Sequence, residues 1–291
     1  MGGGFYSATS RAIRSDSLGY TTNTLAQNFK AQTVHKDMSP MGLKIRESRD
    51  SKDHPNSIPI IVALDVTGSM GNVPQHLVKE GLPKLVTTVI GGGIPDPQIL
   101  FLAVGDHECD RQPLQVAQFE SSDELLDHWL TSTFLEGGGG GNAGESYLLA
   151  WYAAAYHTSH DHWDKRGKKG YLFTIGDEPN LKSLPASALK HMFGGGQFSD
   201  HTAADLLTKA RERYHVKHIH VGETPTGAIK GTADGWAQLI GKDNLLVVQS
   251  YTQIDAVISA FIVREEGSFK FTTKEEMKKM DAPFSPEPEV L

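Results

Sequence analysis

Seven apolar residues in a row, Ile58-Pro-Ile-Ile-Val-Ala-Leu64, end abruptly in Asp65. A strand with one wet face alternates apolar and polar side chains, so an unbroken run reads as a strand buried on both faces, inside a sheet covered above and below. Gln98-Ile-Leu-Phe-Leu-Ala-Val104 has the same texture, and further strands are predicted over residues 171–175, 216–221 and 245–248. Residues 114–119 alternate instead, which predicts an edge or antiparallel strand. Between the strands, apolar residues recur at helical spacing. Val73, Leu77, Val78, Leu82, Leu85, Val86, Val89 and Ile90 mark one helix, with Pro74 in its first turn and a kink predicted at Gly81 and Pro83. Ser121-Ser-Asp-Glu124 reads as a capping box ahead of Leu125, Leu126, Trp129 and Leu130. Further helices are predicted over 144–157, 200–214 and 236–240, and a last one carries Ile254, Val257, Ile258, Phe261 and Ile262. Strands alternating with helices at this spacing predict an α/β fold: a doubly wound, mostly parallel central sheet with helices on both faces.

Composition narrows the function. Lys and Arg number 28 against 35 Asp and Glu, a formal charge of −7, which speaks against a binder of nucleic acid, because phosphate neutralisation needs a cationic footprint. The single cysteine, Cys109, can form no intramolecular disulfide. It points to a reducing compartment. No leader peptide and no run of about 18 apolar residues is present, so a cytoplasmic protein without membrane contact is expected. Residues 1–56 are polar and basic, with apolar positions too scattered for either period. They read as an N-terminal extension that either wraps the domain or stays free of it. Residues 57–264 form the predicted domain, and the Pro- and acid-rich 265–291 a C-terminal tail.

Open parallel sheets bind ligands beyond the carboxyl ends of their strands, and there the chain places its most informative residues. Asp65-Val-Thr67-Gly-Ser69 follows the first strand, Gly176-Asp177-Glu178 ends the fourth, and Glu136, five glycines, Asn142, Ala143, Gly144, Glu145 and Ser146 precede a helix. Asp65, at a strand end, is expected near the surface. Alternate residues of an extended turn point the same way, so Asp65, Thr67 and Ser69 can converge on one point. An oxygen-only set without Cys or His favours Mg²⁺ or another hard cation such as Mn²⁺ or Ca²⁺ over zinc or copper.

These three loops resemble those of a von Willebrand factor A domain with a metal-ion-dependent adhesion site, whose motif is Asp-x-Ser-x-Ser, then a Thr, then an Asp. Asp65 and Ser69 match the first loop, Thr67 replaces its middle serine while keeping the hydroxyl, and Asp177 matches the last acid. Asn142 stands where the motif has its separate threonine, with Glu145 and Ser146 as alternatives. The resemblance implies a cation held by Asp65, Thr67, Ser69, Asn142 and Asp177 and left under-neutralised, so that a Glu or Asp carboxylate of a partner protein completes it. Asp106, Glu145, Ser146 and Glu178 would form the rim the partner meets. The implied function is a Mg²⁺-dependent protein-interaction module, an adaptor or assembly factor and not an enzyme. Intracellular bacterial members of the family work beside AAA-type ATPases, which makes such an ATPase the implied partner.

A second resemblance competes. Asp65-Val-Thr67-Gly-Ser69 is also similar to the nucleophile loop of haloacid-dehalogenase-type phosphotransferases, in which Asp65 would attack a phosphoryl group beside Mg²⁺. The second acid expected shortly after Asp177 is missing, since Asn180 and Leu181 fill that stretch, and only Lys168 or Lys169 offers itself for the phosphate. The glycine run lacks the Gly-Lys-Ser/Thr of a phosphate-binding loop. His157, His160 and His162 have a spacing compatible with zinc, but a polar loop without supporting ligands is the better reading. His218 and His220 are expected to pack under a helix, and Asp106 to cap a turn.

Overall fold

The computed structural model describes residues 4–137 and 144–267. Its central sheet has six strands: β1 (Ile58–Asp65), β2 (Pro97–Val104), β3 (Leu114–Val116), β4 (Gly170–Gly176), β5 (Tyr214–Val221) and β6 (Leu245–Val248), in the order β6-β5-β4-β1-β2-β3. Neighbours run parallel except β3, which pairs antiparallel with β2 at the sheet edge, as its alternating pattern predicts. The chain winds outward from β1 through β2 and β3, then returns to the other side of β1 to lay down β4, β5 and β6. The order therefore reverses between β1 and β4.

Among the described residues, eight helices of eight or more residues accompany the sheet: α1 (Ala8–Leu18), α2 (Leu82–Gly91), α3 (Asp123–Thr131), α4 (Leu148–His157), α5 (Ala186–Phe193), α6 (Ala203–Arg211), α7 (Thr232–Ile240) and α8 (Ile254–Glu266). Successive strand side chains point to opposite faces. Ile60, Val62 and Leu64 of β1 accordingly join one core with α2, α3 and α8, while Ile61 and Ala63 join a second core with α4, α5, α6 and α7. Every residue of β1 is buried, which is why that strand shows no alternation in the sequence.

The kink predicted at Gly81 and Pro83 takes the form of a π-helical turn, Leu77–Gly81, between the short helix Asn72–His76 and α2. Pro83 stands in the first turn of α2, which continues directly from the π turn, so its missing N–H leaves that turn one backbone donor short. The cap of α3 differs by one residue from the sequence reading: Ser122, not Ser121, accepts the Leu125 N–H. Capping boxes occur instead at α6, between Thr202 and Asp205, and at two shorter helices, between Thr24 and Gln27 and between Ser250 and Gln253.

Of the two readings left open for residues 1–56, the described part wraps the domain. α1 lies against α3, held by Arg14 hydrogen bonds to Asp123 and Asp127 and by a buried ion pair of Arg11 with Asp127 at 2.7 Å. Arg11 also donates to the Val78 carbonyl inside the π turn at 2.5 Å. Tyr20, Phe29 and Met38 enter the core on this side, and the strand Arg46–Ser48 pairs with Thr158–His160 outside the main sheet.

The end of this segment is pinned by Asp50, which accepts hydrogen bonds from Ser57, Lys165 and Arg166. Burial pushes its carboxyl up, but those donors outweigh it and hold the pKa at about 2 instead of 3.8. A folded-state pKa below the unfolded one adds stability above pH 3.8 that is lost as the pH falls toward about 2. Asp50→Asn is therefore expected to lower the melting temperature at pH 7 and to lose less stability than wild type between pH 4 and pH 2, as a pH series of thermal melts would show.

Candidate metal centre

The register of the sheet sets Asp65, the last residue of β1, beside Val104 on one side, and Leu64 opposite Ile175 on the other. Asp177 is the first residue beyond β4. The two aspartates, far apart in sequence, thus stand on either side of the point where the strand order reverses. A crevice forms there because the chain leaves the neighbouring strand ends in opposite directions.

Asp65 is fully buried, contrary to the surface position expected of a strand end. Its Oδ1 accepts from the Thr67 amide at 2.9 Å and the Thr67 hydroxyl at 2.6 Å, and its Oδ2 accepts from the Tyr147 phenol at 2.7 Å. Ser69, which is exposed, donates its hydroxyl to Asp177 Oδ1 at 3.2 Å. The two hydroxyl oxygens, Thr67 Oγ1 and Ser69 Oγ, lie 3.5 Å apart. Each spends its proton on a carboxylate and keeps its lone pairs free. Asp177 is also fully buried, and its Oδ2 has no hydrogen-bond partner.

The electrostatics are one-sided. Burial raises the Asp65 carboxyl to about 7, against the hydrogen bonds from Thr67 and Tyr147 that lower it. Burial, together with the charges of Asp65, Glu178, Asp106 and Asp110, pushes Glu145 up to about 10. Glu178 is raised by burial and by Asp177 and Asp106. Among the described residues no lysine or arginine forms an ion pair with Asp65, Asp106, Glu145, Asp177 or Glu178.

Asn142 lies outside the described residues. Of the four residues expected at the rim, Asp106, Glu145 and Ser146 are buried and Glu178 is part-buried. Ser146 is engaged locally, its hydroxyl meeting both the backbone and the ring of His107. Asp106 caps its own turn by accepting the Glu108 amide at 2.8 Å. The histidines 157, 160 and 162 have separate duties: His157 stacks on Phe193, His160 caps a short helix through Trp163, and His162 faces Glu266. Among the described residues no three His, Cys, Asp or Glu side chains gather as a metal cluster. The candidate set combines two carboxylates with two hydroxyls. His218 stacks 3.5 Å from Trp236 of α7, the packing role expected of it.

One structural participant escaped the sequence reading. Tyr147 stands immediately before α4, wholly buried, and reaches Asp65 across 82 residues. Gly176 makes room for it, since a Cβ at that position would collide with the phenol ring. The only trace of this in the sequence is the glycine ahead of Asp177, and nothing local says which side chain needs the space. Trp236 adds a further tie by donating its indole N–H to the Glu178 carbonyl at 2.8 Å.

No family model matches the chain, and no curated protein sequence matches it. Solved structures resemble it distantly. Proximal thread matrix protein 1 of the mussel byssus is 14% identical with a TM-score of 0.46, over 76% of this chain and 48% of that one. The pilus adhesin SpaC of Lactobacillus rhamnosus GG is 12% identical with a TM-score of 0.47, over 74% and 31%. BatB of Bacteroides thetaiotaomicron is 15% identical with a TM-score of 0.41, over 77% and 98%. The chain thus spans about half the length of the byssus protein and about a third of the adhesin. Its fold is read from its own strand order. Among the described residues no helix is long and apolar enough to cross a membrane.

Proposed function

We propose that this chain is a cation-dependent protein-interaction module of the von Willebrand factor A kind, in which Asp65, Thr67, Ser69 and Asp177 hold Mg²⁺ or a similar hard cation. The observation that carries the reading is the contact of Ser69 with Asp177 at 3.2 Å, across 108 residues of chain, beside a buried Asp177 oxygen that has no partner. A carboxylate oxygen removed from water and left unpaired costs free energy that a cation would recover. The chemistry of the donors fits, because oxygen-only sets with one or two carboxylates suit Mg²⁺. When bound, the ion supplies a positive charge that a glutamate or aspartate of a partner protein can meet. Thr67 and Ser69 orient their lone pairs for it by giving their protons to Asp65 and Asp177. Exposed Ser69 leaves the approach open, while Tyr147 closes the floor.

One observation favours this reading over phosphoryl transfer. Lys168 and Lys169 precede β4, at the opposite end of the strand from Asp177, and a strand of this length spans about 20 Å. They pair there with Glu266 and the Arg211 carbonyl.

Ligand binding to the folded state alone stabilises it by about 2.7 kcal/mol at a concentration one hundred times Kd. Millimolar Mg²⁺, Mn²⁺ or Ca²⁺ is therefore expected to raise the melting temperature by several degrees, and EDTA to reverse the shift. A flat titration with all three ions would contradict the reading. Loss of a partner from pull-downs in EDTA would extend it to recognition, whereas an assembly that survives EDTA would favour a purely structural part.

A further inference from the structure

We infer that the acidic end of this chain, Asp281-Ala-Pro-Phe-Ser-Pro-Glu-Pro-Glu-Val-Leu291, docks on the same molecule in a cationic groove built by the N-terminal segment. No metal ion takes part. A cleft of about 740 Å³ lies between the chain that joins α1 to β1 and the C-terminal end of α3, with Lys30 and Lys36 in its wall. A smaller cleft of about 180 Å³, which carries Arg111, meets it at Val34, a residue that lines both. That seam is fixed, because the Val34 amide donates to Gln112 Oε1 at 2.9 Å and ties the segment to the loop after β2.

Charge singles the groove out. The chain holds 35 Asp and Glu against 28 Lys and Arg, yet none of the described residues that line the two clefts is an acid. Lys30, Lys36 and Arg111 are exposed, and among the described residues none of them forms an ion pair. Each cleft also presents an exposed apolar side chain, Leu18 at 52% in the larger and Met41 at 59% in the smaller.

Residues 281–291 lie outside the described residues, and their composition is the complement of the groove. They carry Asp281, Glu287 and Glu289 with no Lys or Arg, and Phe284 and Leu291 bracket the two glutamates. Pro283, Pro286 and Pro288 fix φ at their positions, so less backbone entropy is given up when the segment is held. The thirteen residues 268–280 that join it to the end of α8 reach at most about 47 Å, on the order of the width of a domain this size. Ion pairs between exposed groups are individually weak and screened by salt. A separate acidic peptide is therefore at a disadvantage to one already attached, whose effective concentration is on the order of millimolar.

The experiment uses the full chain in EDTA with a nitroxide spin label on Cys109, its single cysteine, two residues from Arg111. NMR reads the amide signals of residues 281–291 before and after the label is reduced with ascorbate. In wild type the active label is expected to remove most of their intensity, and high salt to restore it. Glu287→Gln with Glu289→Gln, and separately Lys30→Glu with Lys36→Glu, are each expected to abolish the loss. Both lysines are exposed, so their replacement should leave the melting temperature near that of wild type. Should that pair fail to fold, the glutamate pair decides alone. Full signals in wild type overturn the inference, as does a loss that persists in a folded double variant or at high salt. A loss seen in a mixture where label and isotope sit on different molecules overturns docking within one chain and gives the groove to a second copy. With divalent cations removed, none of these outcomes bears on the Asp65 centre.

Discussion

Asp65→Asn is expected to abolish divalent-cation binding while the protein stays folded. Asparagine keeps an acceptor for the Thr67 amide and hydroxyl and can still meet the Tyr147 phenol, so the hydrogen bonds at 2.9, 2.6 and 2.7 Å have replacements. What disappears is the negative charge. In the metal-free protein that charge is costly, because burial lifts the carboxyl to about 7, and its removal should leave the melting temperature unchanged or higher. Mg²⁺ should then produce no further rise. Alanine is the poorer probe. It would strand the buried Tyr147 hydroxyl and the Thr67 amide, at about 1–3 kcal/mol for each unsatisfied group. Thermal melts with and without Mg²⁺ measure both halves of the expectation. A variant that still gains stability from Mg²⁺ would place the ion elsewhere.

Arg11→Ala is expected to cost about 3 kcal/mol of unfolding free energy, the largest single effect expected outside the two cores. Its guanidinium is 3% exposed and Asp127 is 2% exposed, so truncation leaves a buried carboxylate dependent on Arg14 alone. The same change frees the Val78 carbonyl at the π turn, on the segment that links the Asp65–Ser69 loop to α2. Chemical denaturation of full-length wild type and variant measures the difference. A loss below about 0.5 kcal/mol, the usual size for a surface site, would show that α1 is a detachable arm.

The N-terminal segment illustrates where the sequence falls silent. α1 has a readable start at Ser7 and a readable stop at Gly19, whose φ of 67° suits glycine. Its buried residues, however, are Arg11 and Ser15, while Ile13 and Leu18 are exposed. A helix that docks by an ion pair carries no apolar stripe, so periodicity cannot find it. β1, β2 and β4 were legible for the opposite reason, since burial on both faces writes a mostly apolar run, whereas His215, Lys217, His218 and His220 break that run in β5. α5 was missed because its eight residues sit between two loops, with Leu189, Met192 and Phe193 buried.

The candidate centre was legible to the extent that it depends on spacing within a loop. Asp65, Thr67 and Ser69 alternate in one turn, and Asp177 ends the next strand across the reversal. Long-range arrangement was not legible. Tyr147 reaches Asp65 only because α4 packs against the sheet, and Gly176 records that approach as a missing side chain. Asp106, Glu145 and Ser146, expected on the rim, are buried because the 144–146 segment bonds to Gly105 and Pro179 and is drawn down between two loops.

Crystals grown in Mn²⁺ and measured for anomalous scattering test the central claim most directly. One strong peak within ligand distance of Thr67 Oγ1 and Ser69 Oγ, with Asp65 and Asp177 around it, is the expected result. A map with no peak between the ends of β1 and β4 at saturating Mn²⁺ would contradict it.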